Sequence, residues 1–458
     1  MSRALLLILI CFCLQTLSWV VPASAAASPE PVLYLRCYAQ LTGLRASAAD
    51  PLYLEVKSKA LTAAEACLQL IKRAQLSANG DITNHTDTVS LGLLNTLHAF
   101  HRTWFSRSDM INDITQGDSW AVTPQVYDSG EPALYLTRAL FKPGASFKDV
   151  LTLPNTLEAI RDNYMTTQVA TAVDFNTATA TLVPVIGAPV GTLYGVRDTN
   201  TVLNLNGRND FRQTVGGGAI GSKSYLILNL GRISNEPSDG GRTVARRFSK
   251  DVMADLMCRE LPVMRRSDAL QFVKPNSTLS FRKSSSCTQC HGTMDNMAGV
   301  TRNYQLDPFP ATLAVGGVFM SITGNSVNAA AETSSIDSDA QFKNRPSNGH
   351  LYFRTFDGNW VDQPITSVAS LGAALAGLND PYVCAAKRYY AFMTGVTVVI
   401  DDSGSPDALP LNKEQAQQRD FVISLGKKLK QDQSLPNLIY RIVESDAFKT
   451  MTSRSAGN

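Results

Sequence analysis

Apolar positions recur at helical spacing over most of this chain. Cys67, Leu68, Ile71 and Leu76 share one helix-like face, and Thr62-Ala63-Ala64-Glu65 just before them has the form of a capping box. Leu94, His98, His101 and Phe105 fall at i, i+4, i+7 and i+11, one stripe of a second helix. Ser146 can cap a short helix through Val150 and Leu151, which Pro154 ends or kinks. Further on, Val244, Phe248, Val252 and Leu256 repeat every fourth residue, with Pro262 just beyond. Asp380-Pro381 opens another helix, carrying Cys384, Tyr389 and Phe392, and Gly395 is its natural stop. Two more helices are predicted near residues 413–430 and 434–448.

The pattern lapses in two places. Residues 165–235 show β-branched alternation (179–185) and the run Gly216-Gly217-Gly218, which reads as irregular or short-strand structure. Residues 265–360 read as loop-rich, with Ser284-Ser285-Ser286 among them. The fold expected is mainly α: an N-terminal helical domain over 26–165, an irregular connecting region with short β segments over 166–240, and a second helical domain over 241–458.

The first 25 residues are a different material. Arg3 gives a short positive start, residues 4–14 are almost wholly apolar, and Pro22 precedes Ala23-Ser24-Ala25. This reads as a secretory signal peptide, cut after Ala25 or Ala27. A lipidated Cys11 or Cys13 fits less well, because bulky Ile10 and Phe12 stand where a small residue is wanted. Nothing later runs apolar for 18 residues, so no transmembrane segment is expected in the mature chain. The protein is expected to be periplasmic or otherwise exported. Composition narrows the partners: 42 basic against 39 acidic residues in 458 give a net charge of +3, too little for a nucleic-acid surface.

Removing the leader leaves six cysteines: Cys37, Cys67, Cys258, Cys287, Cys290 and Cys384. In an oxidising compartment each is expected to be bonded to something. Cys287-Thr288-Gln289-Cys290-His291 is C-x-x-C-H, the attachment signature of a c-type haem. Two thiols three positions apart can each form a thioether with one haem vinyl group, which leaves His291 beneath the iron as axial ligand. A thioredoxin-like pair would want a βαβ setting, and a zinc site would want a second C-x-x-C; neither is present. One motif implies one covalent haem c and argues against a multihaem wire.

The sixth iron ligand is more open. Met294 and Met297 follow His291 too closely on a helix to reach the opposite face. Met320, 29 residues on, can return over the haem as methionine does in cytochromes c; Met393 and His350 are the alternatives, Met393 also reading as ordinary core. The four remaining cysteines pair most simply as Cys37–Cys67 and Cys258–Cys384, one of three possible connectivities.

The segment Cys290-His291-Gly292-Thr293-Met294-Asp295 resembles the C-H-x-x-M-D stretch of the planctomycete-type cytochrome c-like proteins, single-haem domains of unknown function. In these a helix ending in Cys and Pro precedes the haem motif, and Cys258 and Pro262 match it. Asp357-Gly358, Cys384 and the Tyr390-Ala391 to Gly395 end are similar to later elements, with two residues inserted before the glycine. The stretch from Ile442 to Phe448 resembles the closing helix. The resemblance spans about residues 130–450; Asn296 replaces the usual proline after Met-Asp, and the first 130 residues have no counterpart. It implies a cytochrome c-like helical haem domain and leaves the reaction open. Three roles follow: an electron carrier with redox partner proteins in the periplasm, an envelope binding or scaffold protein with a structural haem, or a haem-dependent oxidoreductase. No residue presents itself as a catalytic acid or base, which favours the carrier over an independent enzyme.

Overall fold

The computed structural model describes residues 29–106, 127–162, 191–199, 215–229, 246–277, 280–301, 347–402, 404–406 and 408–450, with short strand pieces at 127–128, 173–174, 179–180, 186–187, 305–308 and 318–321. The expected leader lies outside the described residues. The architecture is mainly helical. Among the described residues no helix is long and apolar enough to cross a membrane.

The N-terminal part is built from α1 (Glu30–Thr42), α2 (Pro51–Lys57), α3 (Ala63–Lys72), α4 (Thr88–Arg102), α5 (Glu131–Phe141) and α6 (Asp149–Thr152). Local chemistry sets their starts. Thr62 and Glu65 form the capping box of α3, Asp50 accepts from Tyr53 N at the head of α2, and Asp87 accepts from Val89 N and Ser90 N at the head of α4. Glu30 reaches from the first turn of α1 to Ala63 N, 2.6 Å away, and the Cys37–Cys67 disulfide joins the buried faces of α1 and α3. The short helix near Val150 forms, but Lys148 stands at its N-cap without a side-chain cap bond; Ser146 pairs with Asp149 from two residues before it instead of capping the helix.

The strand Thr156–Arg161 falls inside the span expected to be the N-terminal helical domain and pairs antiparallel with Leu193–Thr199 of the connecting region, which also holds the helix α7 (Lys223–Asn229). Periodicity missed α7 because seven residues are too short to establish a face. The C-terminal part comprises α8 (Arg246–Met257), α9 (Arg266–Ala269), α10 (Ser285–Ala298), the hairpin Gly349–Arg354/Trp360–Ile365, α11 (Val368–Gly377), α12 (Asp380–Thr394), α13 (Lys413–Asp432), α14 (Leu435–Val443) and α15 (Asp446–Lys449). Two expectations change here. The loop-rich reading of 265–360 gives way to a 14-residue helix and a regular hairpin, since α10 carries few apolar residues from which a period could be read. The single helix expected over 434–448 is two, because Ser445 stops α14 and its hydroxyl caps α15 at Phe448 N.

The disulfide Cys258–Cys384 ties the end of α8 to α12. The apolar cores expected before residue 165 and after residue 240 are continuous. Tyr34 and Leu97 belong to the same buried cluster as Tyr389 and Ile439. Polar bonds cross between the two parts: Gln40 donates to Phe392 O at 2.7 Å, Arg36 to Phe448 O at 2.6 Å, and Phe147 N to Gln433 O at 2.9 Å.

Candidate functional site

The C-x-x-C-H residues sit in the first half of α10. Thr288, Gly292, Thr293, Asp295, Met297 and Ala298 form the buried face of this helix. Thr293 donates to Tyr352 O in the hairpin at 2.6 Å, Gln289 to Met264 O at 3.1 Å, and Ser249 of α8 donates to Met294 O at 2.9 Å. The hairpin approaches the end of α10 so closely that a Cβ on Gly299 would lie 2.1 Å from Asn348 O. The helix is therefore anchored on both sides.

Cys287, Cys290, His291 and Met294 fall at i, i+3, i+4 and i+7, the spacing of one helical stripe, and none of the four is buried. Neither thiol is in a disulfide, although the other four described cysteines are. Burial pushes the Cys290 thiol up, and the neighbouring Cys287 adds to the shift.

His291 is held on two sides. Its Nδ1 lies 3.3 and 3.4 Å from the two carboxylate oxygens of Asp295, one turn further along α10. Asp295 is only 3% exposed, and Arg246 at the head of α8 donates to it through Nε at 2.6 Å. The Phe281 ring stacks on the imidazole with centroids 4.1 Å apart, and the Arg246 guanidinium lies 5.2 Å from the centroid of Phe281. The four side chains close a circuit: arginine to carboxylate to imidazole to phenyl and back to arginine. With Nδ1 directed at a carboxylate, the proton belongs on Nδ1 and the Nε2 lone pair is left to accept. Nε2 has no partner among the described residues. Stacking occupies a face of the ring, whereas a metal binds in the ring plane, so Phe281 does not compete for Nε2.

These residues fit a covalently attached haem. Two unpaired thiols and an oriented imidazole share one half-open stripe of a rigid helix. The group would be held by Cys287 and Cys290 through carbon–sulfur bonds and by His291 through nitrogen. Among the described residues no group of three or more His, Cys, Asp or Glu side chains is arranged to hold a bare metal ion.

The candidate sixth ligands separate. Met393 is 1% exposed, packed in the core on α12. His350 hydrogen-bonds Asp362 across the hairpin and stacks on Tyr352 with centroids 4.2 Å apart. Met320 lies on the strand Val318–Ser321, paired with Leu306 of the strand Gln305–Pro308; its side chain is outside what is described.

His98 and His101 on α4 form a second constellation. Each directs Nδ1 at Thr137 Oγ1, at 3.1 and 3.0 Å, while the threonine hydroxyl donates to Ala133 O. His101 Nε2 accepts from Tyr389 OH at 2.6 Å, and His98 Nε2 accepts from Arg161 Nη2 at 3.0 Å. All four ring nitrogens are thus committed. Burial lowers both pKa values, that of His101 to about 3; for His98 the Arg161 charge adds to the effect. Protonating either ring would set a donor against a donor. These are neutral structural histidines.

Of the residues gathered at this candidate site, sequence reasoning overlooked the places of Asp295, Phe281 and Arg246 around His291. Asp295 had a signal, its i+4 spacing from His291; Arg246 had none, being 45 positions away. No family model, curated protein or solved structure matches this chain.

Proposed function

We propose that this protein is an exported single-haem c-type cytochrome serving electron transfer to or from redox partner proteins in the periplasm. The observation that carries the reading is the stripe Cys287, Cys290, His291: two unpaired thiols beside an imidazole whose Nε2 is free among the described residues, while the remaining described cysteines are joined in disulfides. Each thiol would add its S–H across one vinyl C=C bond, giving a thioether with no atom lost. When bound, the haem supplies a one-electron couple. The chain's own contribution is to hold the imidazole in one tautomer and one rotation, through Asp295 and Phe281. Met320 is our proposed sixth ligand, because Met393 is sealed in the core and His350 is engaged with Asp362 and Tyr352.

The test is covalent haem retention. Produced with a c-type maturation system, the parent should carry a haem that survives a denaturing gel, visible by peroxidase-type staining. Cys287→Ala/Cys290→Ala should lose it completely. Absence of stain in the parent, or its persistence in the double variant, would overturn the reading. Met320→Ala should remove the weak sulfur-to-iron band at the red end of the oxidised spectrum; a band that survives excludes Met320.

A further inference from the structure

We infer that Asp295 is a positioning residue that tunes His291, and that Arg246 sets how much of the carboxylate's charge the imidazole feels. The inference rests on the haem reading and goes beyond it, from which residues hold the group to which residues set its potential. Both Asp295 oxygens lie within 3.4 Å of Nδ1, so the N–H donates to an anion rather than to a neutral carbonyl. A carboxylate in that position draws the Nδ1 proton toward itself and pushes electron density onto Nε2. A more strongly donating imidazole favours the oxidised iron, which lowers the reduction potential.

Arg246 works against that push. Its Nε lies 2.6 Å from Oδ1 and its Nη2 3.4 Å from Oδ2, so one guanidinium shares the same two oxygens with the imidazole. Asp295 is buried whereas the Arg246 side chain is 33% exposed. The carboxylate is therefore sheltered from water and the arginine is its main compensating charge. The same arginine lies over Phe281, which stacks on His291 and opposes rotation of the ring away from Asp295. Asp295 and Arg246 should act on the potential in opposite directions, and a change in g values marks an effect that reaches the iron through the imidazole.

The experiment compares haem-loaded parent, Asp295→Asn and Arg246→Gln by redox titration and by electron paramagnetic resonance of the oxidised iron. Asn keeps the shape and an acceptor oxygen but removes the charge, so the midpoint potential should rise and the g values should shift. Gln at 246 leaves the carboxylate uncompensated, so the midpoint should fall. Equal potentials and unchanged g values across the three proteins would overturn the inference, as would shifts of the same sign in both variants. Should Arg246→Gln fail to fold, Asp295→Asn decides alone: a raised midpoint with shifted g values supports the inference, and parent-like values overturn it. The gel stain separates this failure from that of the underlying reading. Stained protein with unmoved potentials sinks the tuning role alone, while unstained parent protein sinks the haem reading and this inference with it.

Discussion

Two helices of this protein carry histidines whose Nδ1 meets a polar side chain, and the partners make them opposites. On α4, His98 and His101 share a threonine acceptor, and their remaining nitrogens meet a guanidinium and a phenol. On α10, His291 gives Nδ1 to a carboxylate and keeps Nε2 without a partner among the described residues. What the second nitrogen of a helical histidine meets thus decides whether that nitrogen is left open to bind anything. Burial runs the same way: His101 is fully buried with both ring nitrogens engaged, whereas His291 is partly exposed with Nε2 open among the described residues.

The largest effects on stability should come from the staples on which the two regions stand. Cys258 and Cys384 close a span of 126 residues and Cys37 and Cys67 one of 30. By chain entropy the first contributes about 5 kcal/mol and the second about 3.5 kcal/mol. Serine pairs at either bridge, measured by urea unfolding, should fall in that order, and the 258–384 variant should also lose haem retention. Equal losses, with haem retained in both variants, would mean that the continuous core couples the regions more strongly than the bridges do.

Thr137→Val sharpens the contrast at α4. It leaves the Nδ1–H groups of His98 and His101 without their acceptor inside the core, at roughly 1–3 kcal/mol for each orphaned donor. A loss of about 3 kcal/mol is expected with the iron spectrum unmoved. A spectral change would mean that α4 and α10 are coupled.

pH dependence separates buried histidine from buried carboxylate. Burial holds His98 and His101 below a free imidazole, so the unfolded chain takes up protons that the folded chain refuses. Their contribution is present above about pH 6.5 and is lost as pH falls, toward about 3 for His101. Asp255 runs the other way. Burial, countered in part by a hydrogen bond from Ser106 N, raises its carboxyl to about 7. Its contribution is present below about pH 4 and is lost as pH rises through 7. Asp380, raised by burial to about 6, runs the same way, so Asp255→Asn should remove the part of the decline that lies between pH 6 and 7 and keep both the Asp380 part and the acid-side loss. Urea midpoints at pH 4, 6 and 7 check it, and a fall from pH 6 to 7 as large in the variant as in the parent refutes this role.

The smallest effect on stability belongs to Phe281→Ala. The ring is half-buried, so the loss should be about 1 kcal/mol. Removing the stack should nonetheless free His291 to rotate and broaden the spectrum of the oxidised iron. A spectrum as sharp as the parent's would show that Asp295 alone orients the ring.

How much was legible in the sequence follows from how local each feature is. The cap at Thr62, the stop at Gly395 and the α4 stripe of Leu94, His98 and His101 are set by residues within a turn or two, and they stand where the pattern puts them. The thiol–thiol–imidazole stripe is local in the same way, since a C-x-x-C-H run on a helix brings all three side chains to one side whatever surrounds it. α10 was harder to see, because a helix that presents functional groups on one face and small or polar residues on the other has no apolar period. What only the tertiary structure decided is long-range: Arg246 meeting Asp295, Tyr389 meeting His101 from 288 positions away, and the joining of two expected cores into one. Such meetings depend on how whole helices pack, where many weak apolar contacts are summed over the fold, and no window of sequence contains that sum.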